Sequence, residues 1–242
     1  MRELSARALC RVESFGTDEG AQWRATEIDF AGEMTTFTVT AEGREYGRYR
    51  TPLAGMFNVR NCLGVIAASE ALGLDRKLIV EALAEFKSVK RRMQVRAVVR
   101  GVTVIDDFAH HPTAVLETLA AARQKYPDHR VIAVFEPRSY TAQRREFQQD
   151  FENALASADK IIIAGLFHPE RYSADTAIAP DKMIEGLRER GLEADFIPST
   201  AEIVPHLAEQ LKSNDVVVIM SNGSFGGLHD KLIASLKESE KG

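Results

Sequence analysis

Four short apolar runs punctuate the second half of the chain, at 102–105 (VTVI), 131–135 (VIAVF), 160–164 (KIIIA) and 216–220 (VVVIM). Each is bounded by polar residues. Runs that are apolar at nearly every position, rather than at alternate ones, suit strands covered on both faces. Between the runs, apolar residues recur at helical spacing. Val115, Leu119, Ala122 and Tyr126 share one face, and Phe147, Phe151 and Leu155 share another. Leu228, Leu232, Ile233 and Leu236 form a third stripe. These stripes are core faces. Strand–helix alternation of this kind predicts one doubly wound, Rossmann-like α/β domain over residues 96–242.

Residues 1–95 have a different character. The segments 23–30 (WRATEIDF) and 35–40 (TTFTVT) alternate or are β-branched, which predicts antiparallel strands. Turns are expected at 31–33 and 41–44, each with a glycine. Gly55 opens a helical pattern that runs through Leu72, with Gly73 as its stop, and Asp75 caps a shorter helix ending near Phe86. The expected organisation is therefore a partial strand-and-helix domain before a Rossmann-like one.

Composition removes several function classes. Lys plus Arg is 31 and Asp plus Glu is 35, for a net charge of -4, which is not the balance of a chain that coats nucleic acid. No apolar run approaches the roughly 18 residues of a membrane helix. The two cysteines, Cys10 and Cys62, sit in no ligand cluster, so neither a disulfide framework nor a zinc site is expected. A reduced, cytoplasmic protein acting on small molecules is the expectation.

Ligands of open parallel sheets gather at the carboxyl ends of strands. That directs attention to 106–112, 136–140, 165–171 and 221–227. In IDDFAHHP, two carboxylates leave a strand, two histidines follow, and Pro112 opens a helix. Such carboxylates either hold a ribose or metal shell, or brace the turn. In FEPRSYT, Arg138 either clamps a carboxylate bidentately or forms a surface ion pair. In MSNGSFGG, a glycine-rich loop either presents N–H groups to an anion or is a plain turn. Asn58 and Asn61, three apart at a helix start, share a face, and their amides match an adenine edge; alternatively Asn58 is an N-cap. The basic run 87–92 (KSVKRR) is either a solvated turn or places an arginine at a nucleotide. No GxxxxGK[ST] loop and no GxGxxG after a strand is present.

Taken together, GMFNVRN, KRRMQV, DDFAHHPTA, EPRS and MSNGSFGG resemble, in order and spacing, the Mur ligases, ATP-dependent ligases of peptidoglycan synthesis. The resemblance runs from about Glu13 onward. Within the family the blocks are most similar to ligases that join L-alanyl-γ-D-glutamyl-meso-diaminopimelate to UDP-N-acetylmuramate. It implies a chain holding the later part of a central ATP-binding domain and a whole C-terminal domain, with the phosphate loop lying upstream.

By that resemblance, Asn58 and Asn61 contact adenine, Arg92 the nucleotide and Asp107 the ribose. His110 lies near the reacting groups. Arg138, Ser139, Asn222 and Gly223 face the substrate. ATP and Mg²⁺ are implied, with most metal ligands in the missing part and none assigned here. The 242-residue chain is expected to be inactive alone. Two departures stand out. Phe57 occupies a position where many relatives have histidine. Arg138-Ser139 replaces the His-Arg pair of ligases that add free alanine, which implies a larger acceptor. The competing readings are a UDP-N-acetylmuramate–L-alanine ligase and a non-catalytic peptide- or nucleotide-binding α/β module.

Overall fold

The computed structural model describes residues 5–173 and 175–238. They form two compact units that divide between Ser88 and Val89. The division precedes the expected boundary at residue 95 because Gln94 and Val95 pair with Asp106 and Ile105 in the second unit's sheet.

The first unit is a four-stranded sheet with two helices. Its strands, in spatial and chain order, are β1 (Phe15–Gly16), β2 (Trp23–Asp29), β3 (Thr35–Ala41) and β4 (Arg44–Thr51). The pairs β2–β3 and β3–β4 are antiparallel, as the alternation required. Inward residues of these strands, including Trp23, Phe37, Val39 and Tyr49, form one core with the two helices. Helix α1 (Met56–Ala71) contributes Val59, Leu63 and Ile66, and helix α2 (Arg76–Glu85) contributes Ile79 and Leu83. Gly55, at φ 96°, precedes α1, and Gly73, at φ 72°, follows it, so both ends use backbone that favours glycine. Asp75 caps α2 by accepting from the Lys77 amide at 2.8 Å.

The second unit is a six-stranded sheet ordered β5-β6-β10-β7-β8-β9. Its strands are β5 (Gln94–Val99), β6 (Val102–Asp107), β7 (Arg130–Phe135), β8 (Lys160–Ala164), β9 (Glu193–Ile197) and β10 (Asp215–Met220). Only β5 runs antiparallel to its neighbour; the other pairings are parallel. Successive residues of the central strands enter two different cores. Val131, Ala133, Phe135, Val216 and Val218 pack with helices α3 (Pro112–Lys125), α4 (Gln148–Leu155) and α5 (Pro180–Glu189). Ile132, Val134, Val217 and Ile219 pack with α6 (Thr200–Gln210) and α7 (Leu228–Glu238). The sheet is thus covered on both faces, as the continuous apolar runs predicted.

This winding locates the crevices. β10 lies between β6 and β7, whose following helices are α3 and α4, whereas α7 follows β10 on the opposite face. The chain therefore parts to opposite faces on either side of β10, the arrangement that leaves room for ligands at the carboxyl ends. At the other end of the sheet, Lys160 is buried and its ammonium pairs with Glu193 at 2.7 Å and Asp195 at 3.3 Å, pinning edge strand β9 to β8. Among the described residues, no helix is long and apolar enough to cross a membrane.

Candidate functional site

The carboxyl ends of β6, β10 and β7 finish level, since Met220 is in register with both Asp107 and Phe135. Two backbone bonds continue the alignment into the loops. Ser221 N donates to Asp107 O at 3.2 Å, and Glu136 N donates to Met220 O at 3.1 Å. The loop after β8 joins them through Phe167 N, which donates to Pro137 O at 3.3 Å. The four segments singled out by the sheet rule therefore meet at one end of the second unit.

Asp107 is 2% exposed. Its carboxylate accepts from Met93 N at 2.8 Å, Ala109 N at 2.8 Å and Thr118 Oγ1 at 3.1 Å. Burial pushes its carboxyl above the usual range, against these hydrogen bonds and the charge of Arg92. Both oxygens are engaged within the protein, so the carboxylate braces the turn that carries His110, and three accepted bonds leave it acceptor capacity for a further donor. Asp106 is likewise buried, among Arg91, Arg96 and His229.

His110 is half-buried, and its Nδ1 lies 2.8 Å from Phe108 O. A carbonyl can only accept, so Nδ1 carries the proton and Nε2 is the basic nitrogen. His111 caps α3 by accepting from Ala114 N at 3.4 Å, and Pro112 fills the first helical position. Partial burial and the neighbouring charges of His110 and Arg92 lower the His111 pKa.

Arg138 is the centre of a cavity of about 290 Å³. Its guanidinium stacks 3.5 Å from the centroid of Phe167 and lies 3.7 Å from Glu136 Oε1. Tyr140, Tyr172, Arg171, Gln143 and Asn222 complete the lining. Asn222 Oδ1 and Gln143 Oε1 are buried there without a hydrogen-bond partner. Glu136, 9% exposed, accepts from Ser221 Oγ, whose oxygen in turn accepts from Gly223 N at 2.8 Å. Ser139 is a bracing residue: its hydroxyl donates to His110 O at 3.0 Å and accepts from Ala142 N at 3.0 Å.

The basic run divides its labour. Arg92 is exposed, with its guanidinium 5.8 Å from the Phe108 ring centroid. Arg91 turns inward to Asp106, Ser221 O and Gly223 O. Sequence reasoning singled out Arg92 and passed over Arg91, Glu136 and Phe167. Nothing in the spacing distinguishes adjacent arginines; a left-handed backbone at Arg91, φ 61°, turns one of them in.

Asn58 and Asn61 stand in the first unit. Asn58 Nδ2 donates to Ala54 O at 2.7 Å, and Asn61 Nδ2 reaches Asn58 Oδ1 at 3.4 Å. The residue before α1 is Gly55, without a side-chain cap, so Asn58 is inside the helix rather than its N-cap. Asn61 is exposed. Among the described residues, no group of three or more His, Cys, Asp or Glu side chains is placed to hold a metal ion.

Comparison with known proteins gives a consistent picture. A UDP-N-acetylmuramate–L-alanine ligase of Desulfitobacterium hafniense is 31% identical over 227 residues, covering 94% of this chain and 50% of that protein. The fold is similar to that of a Thermotoga maritima UDP-N-acetylmuramate-alanine ligase, with a TM-score of 0.76, 22% identity, and coverage of 93% and 48%. A murein peptide ligase of Psychrobacter arcticus gives a TM-score of 0.64, 29% identity, and coverage of 97% and 48%. The chain spans about half the length of the curated relatives it matches. Residues 91–223 match the family model for the Mur ligase, glutamate ligase domain; the match takes in the strand-end residues from Arg91 to Gly223, and the chain belongs to the Mur ligase family.

Proposed function

We propose that this chain is the acceptor-binding part of an ATP-dependent ligase that joins an L-alanyl amine to the carboxyl group of UDP-N-acetylmuramate. The carboxylate attacks the γ-phosphorus of ATP, releasing ADP and forming an acyl phosphate. The acceptor amine then attacks the acyl carbon, and phosphate leaves from the tetrahedral intermediate. Positioning and charge neutralisation carry such reactions. In this reading Asn61, supported by Asn58, meets the adenine, and exposed Arg92 meets nucleotide phosphate or ribose. His110 Nε2 takes the proton that the amine loses on attack. Asp107 and Ser139 hold the turns that carry these groups.

The acceptor we favour is the L-alanyl-γ-D-glutamyl-meso-diaminopimelate tripeptide. The observation that carries it is the Arg138 cavity. Two guanidiniums, those of Arg138 and Arg171, line it together with two tyrosines. That set matches carboxylates, and the tripeptide carries several of them. Free L-alanine is the second reading, favoured by the relatives, since the Desulfitobacterium hafniense protein bears that name.

The test is phosphate release and product mass with the full-length protein, UDP-N-acetylmuramate and ATP, supplying tripeptide or L-alanine separately. A kcat/KM at least tenfold higher for the tripeptide is expected. The reverse preference would assign L-alanine. Turnover with neither would reject the ligase reading in favour of a binding module. The 242-residue chain alone, which lacks the GxxxxGK[ST] motif, is expected to release no phosphate above background.

A further inference from the structure

We propose that Arg91 is a positioning residue for the acceptor cavity, tying the loop after β6 to the loop after β10. The inference rests on the acceptor-binding reading above. Arg91 meets both loops. Its carbonyl accepts from Phe108 N at 2.9 Å, which holds the turn leading to His110. Its side chain donates from Nη2 to Ser221 O and, at 2.7 Å, to Gly223 O. Those carbonyls flank Asn222, so both sides of the residue with the unpartnered Oδ1 are fixed.

The third contact is Nε to Asp106 Oδ1 at 3.3 Å, and the guanidinium lies 4.8 Å from the Phe108 ring centroid. Burial pushes the Asp106 carboxyl up, but His229 and Arg91 together hold it below the ordinary range, so the contact is an ion pair. The Arg91 backbone is itself anchored, its amide donating to Gln94 Oε1 at 3.0 Å. The effect reaches Arg138 through Gly223, whose backbone abuts the Arg138 side chain. Lysine supplies a point charge and cannot reproduce bonds in three fixed directions from one planar group.

Two measurements test this. Hydrogen–deuterium exchange on the 242-residue chain compares wild type with Arg91→Lys. Faster exchange confined to 107–111 and 221–227, with β7 and β8 unchanged, is expected. No change, or uniform acceleration across the sheet, would overturn the proposal. In the full-length ligase, Arg91→Lys is expected to raise the acceptor KM about tenfold with the ATP KM unchanged. In an Arg138→Ala background it should add less than about twofold, because it acts through the same cavity. Full additivity, or an equal ATP defect, would also overturn it. A wild-type enzyme inactive with either acceptor would reject the acceptor reading and the cavity's role with it. An active wild type with unaltered exchange and KM in Arg91→Lys would reject the role of Arg91 alone.

Discussion

The backbone of Gly223 and the side chain of Arg138 occupy adjoining space: a Cβ at 223 would fall 2.2 Å from Arg138 Nε. Arg138 can lie against Phe167 only because residue 223 has no side chain. Gly223→Ala is therefore expected to displace the guanidinium from its stack. The obstructing atoms belong to a flexible arm, so the fold should tolerate the change with a stability loss under about 1 kcal/mol. The acceptor KM of the full-length enzyme should rise about tenfold. Thermal melting and steady-state kinetics on the same preparation check both, and an unaltered KM would show that Arg138 does not touch the acceptor.

Asp107 serves the fold directly. Replacing it with alanine leaves the amides of Met93 and Ala109 without their acceptor, in a place that is 2% exposed. Losing an acceptor for buried donors costs about 1–3 kcal/mol. Asp107→Ala should lower the urea midpoint of the 242-residue chain by a corresponding amount. A midpoint equal to that of the wild type would mean that water satisfies those amides and that the carboxylate is free for a ligand.

The contrast between Asp107 and the apolar runs shows what a sequence makes legible. Strands β6, β7, β8 and β10 were readable because central parallel strands are buried on both faces and carry little else than apolar residues. Asp75, Gly73 and Pro112 marked helix ends for local reasons. The strands β4, β5 and β9 escaped notice. REYGRYRT, QVRAVV and EADFI mix polar and apolar residues because each lies at a sheet edge. Helix α6 carries an internal Pro205, which reads as a break. At the site, the segments were legible from the winding rule, but the destinations of side chains were not. Whether Asp107 bonds Thr118, or Arg91 rather than Arg92 turns inward, depends on residues brought together only by the fold.

Two aspartates should give opposite pH signatures. Burial alone would push the Asp195 carboxyl up, but Lys160, Arg188 and His206 hold it below its ordinary value of 3.8. Its folded pKa is depressed, so its contribution is present above pH 3.8 and is lost as pH falls through the folded value. Asp107 is raised by burial, so its ionisation costs folding stability as pH rises through the folded value, separately from the hydrogen bonds whose acceptor Asp107→Ala removes. Asp195→Asn should therefore lose stability near neutral pH and lose less than wild type on acidification below that value. Urea titrations of the chain near neutrality and at about pH 3, below the usual carboxylate range, check this. A constant difference between wild type and Asp195→Asn at both would refute the ion-pair account of Asp195.

A pair of substitutions separates the nucleotide contacts from the acceptor contacts. Asn61 is exposed on α1 and donates a long bond to Asn58 Oδ1, whereas Arg138 is held in the cavity of the second unit. In the full-length enzyme, Asn61→Ala should raise the ATP KM with little effect on the acceptor. Losing one hydrogen-bonded contact of this kind costs about 1–3 kcal/mol, or about one to two decades. Arg138→Ala should do the converse. Arg138→Lys should recover only part of the loss, since an ammonium neither stacks as a plane on Phe167 nor grips a carboxylate with two parallel bonds. Kinetics with ATP and acceptor varied separately decide the matter. A selective ATP defect in Arg138→Ala would move the acceptor clamp to Arg171, the other guanidinium of the cavity.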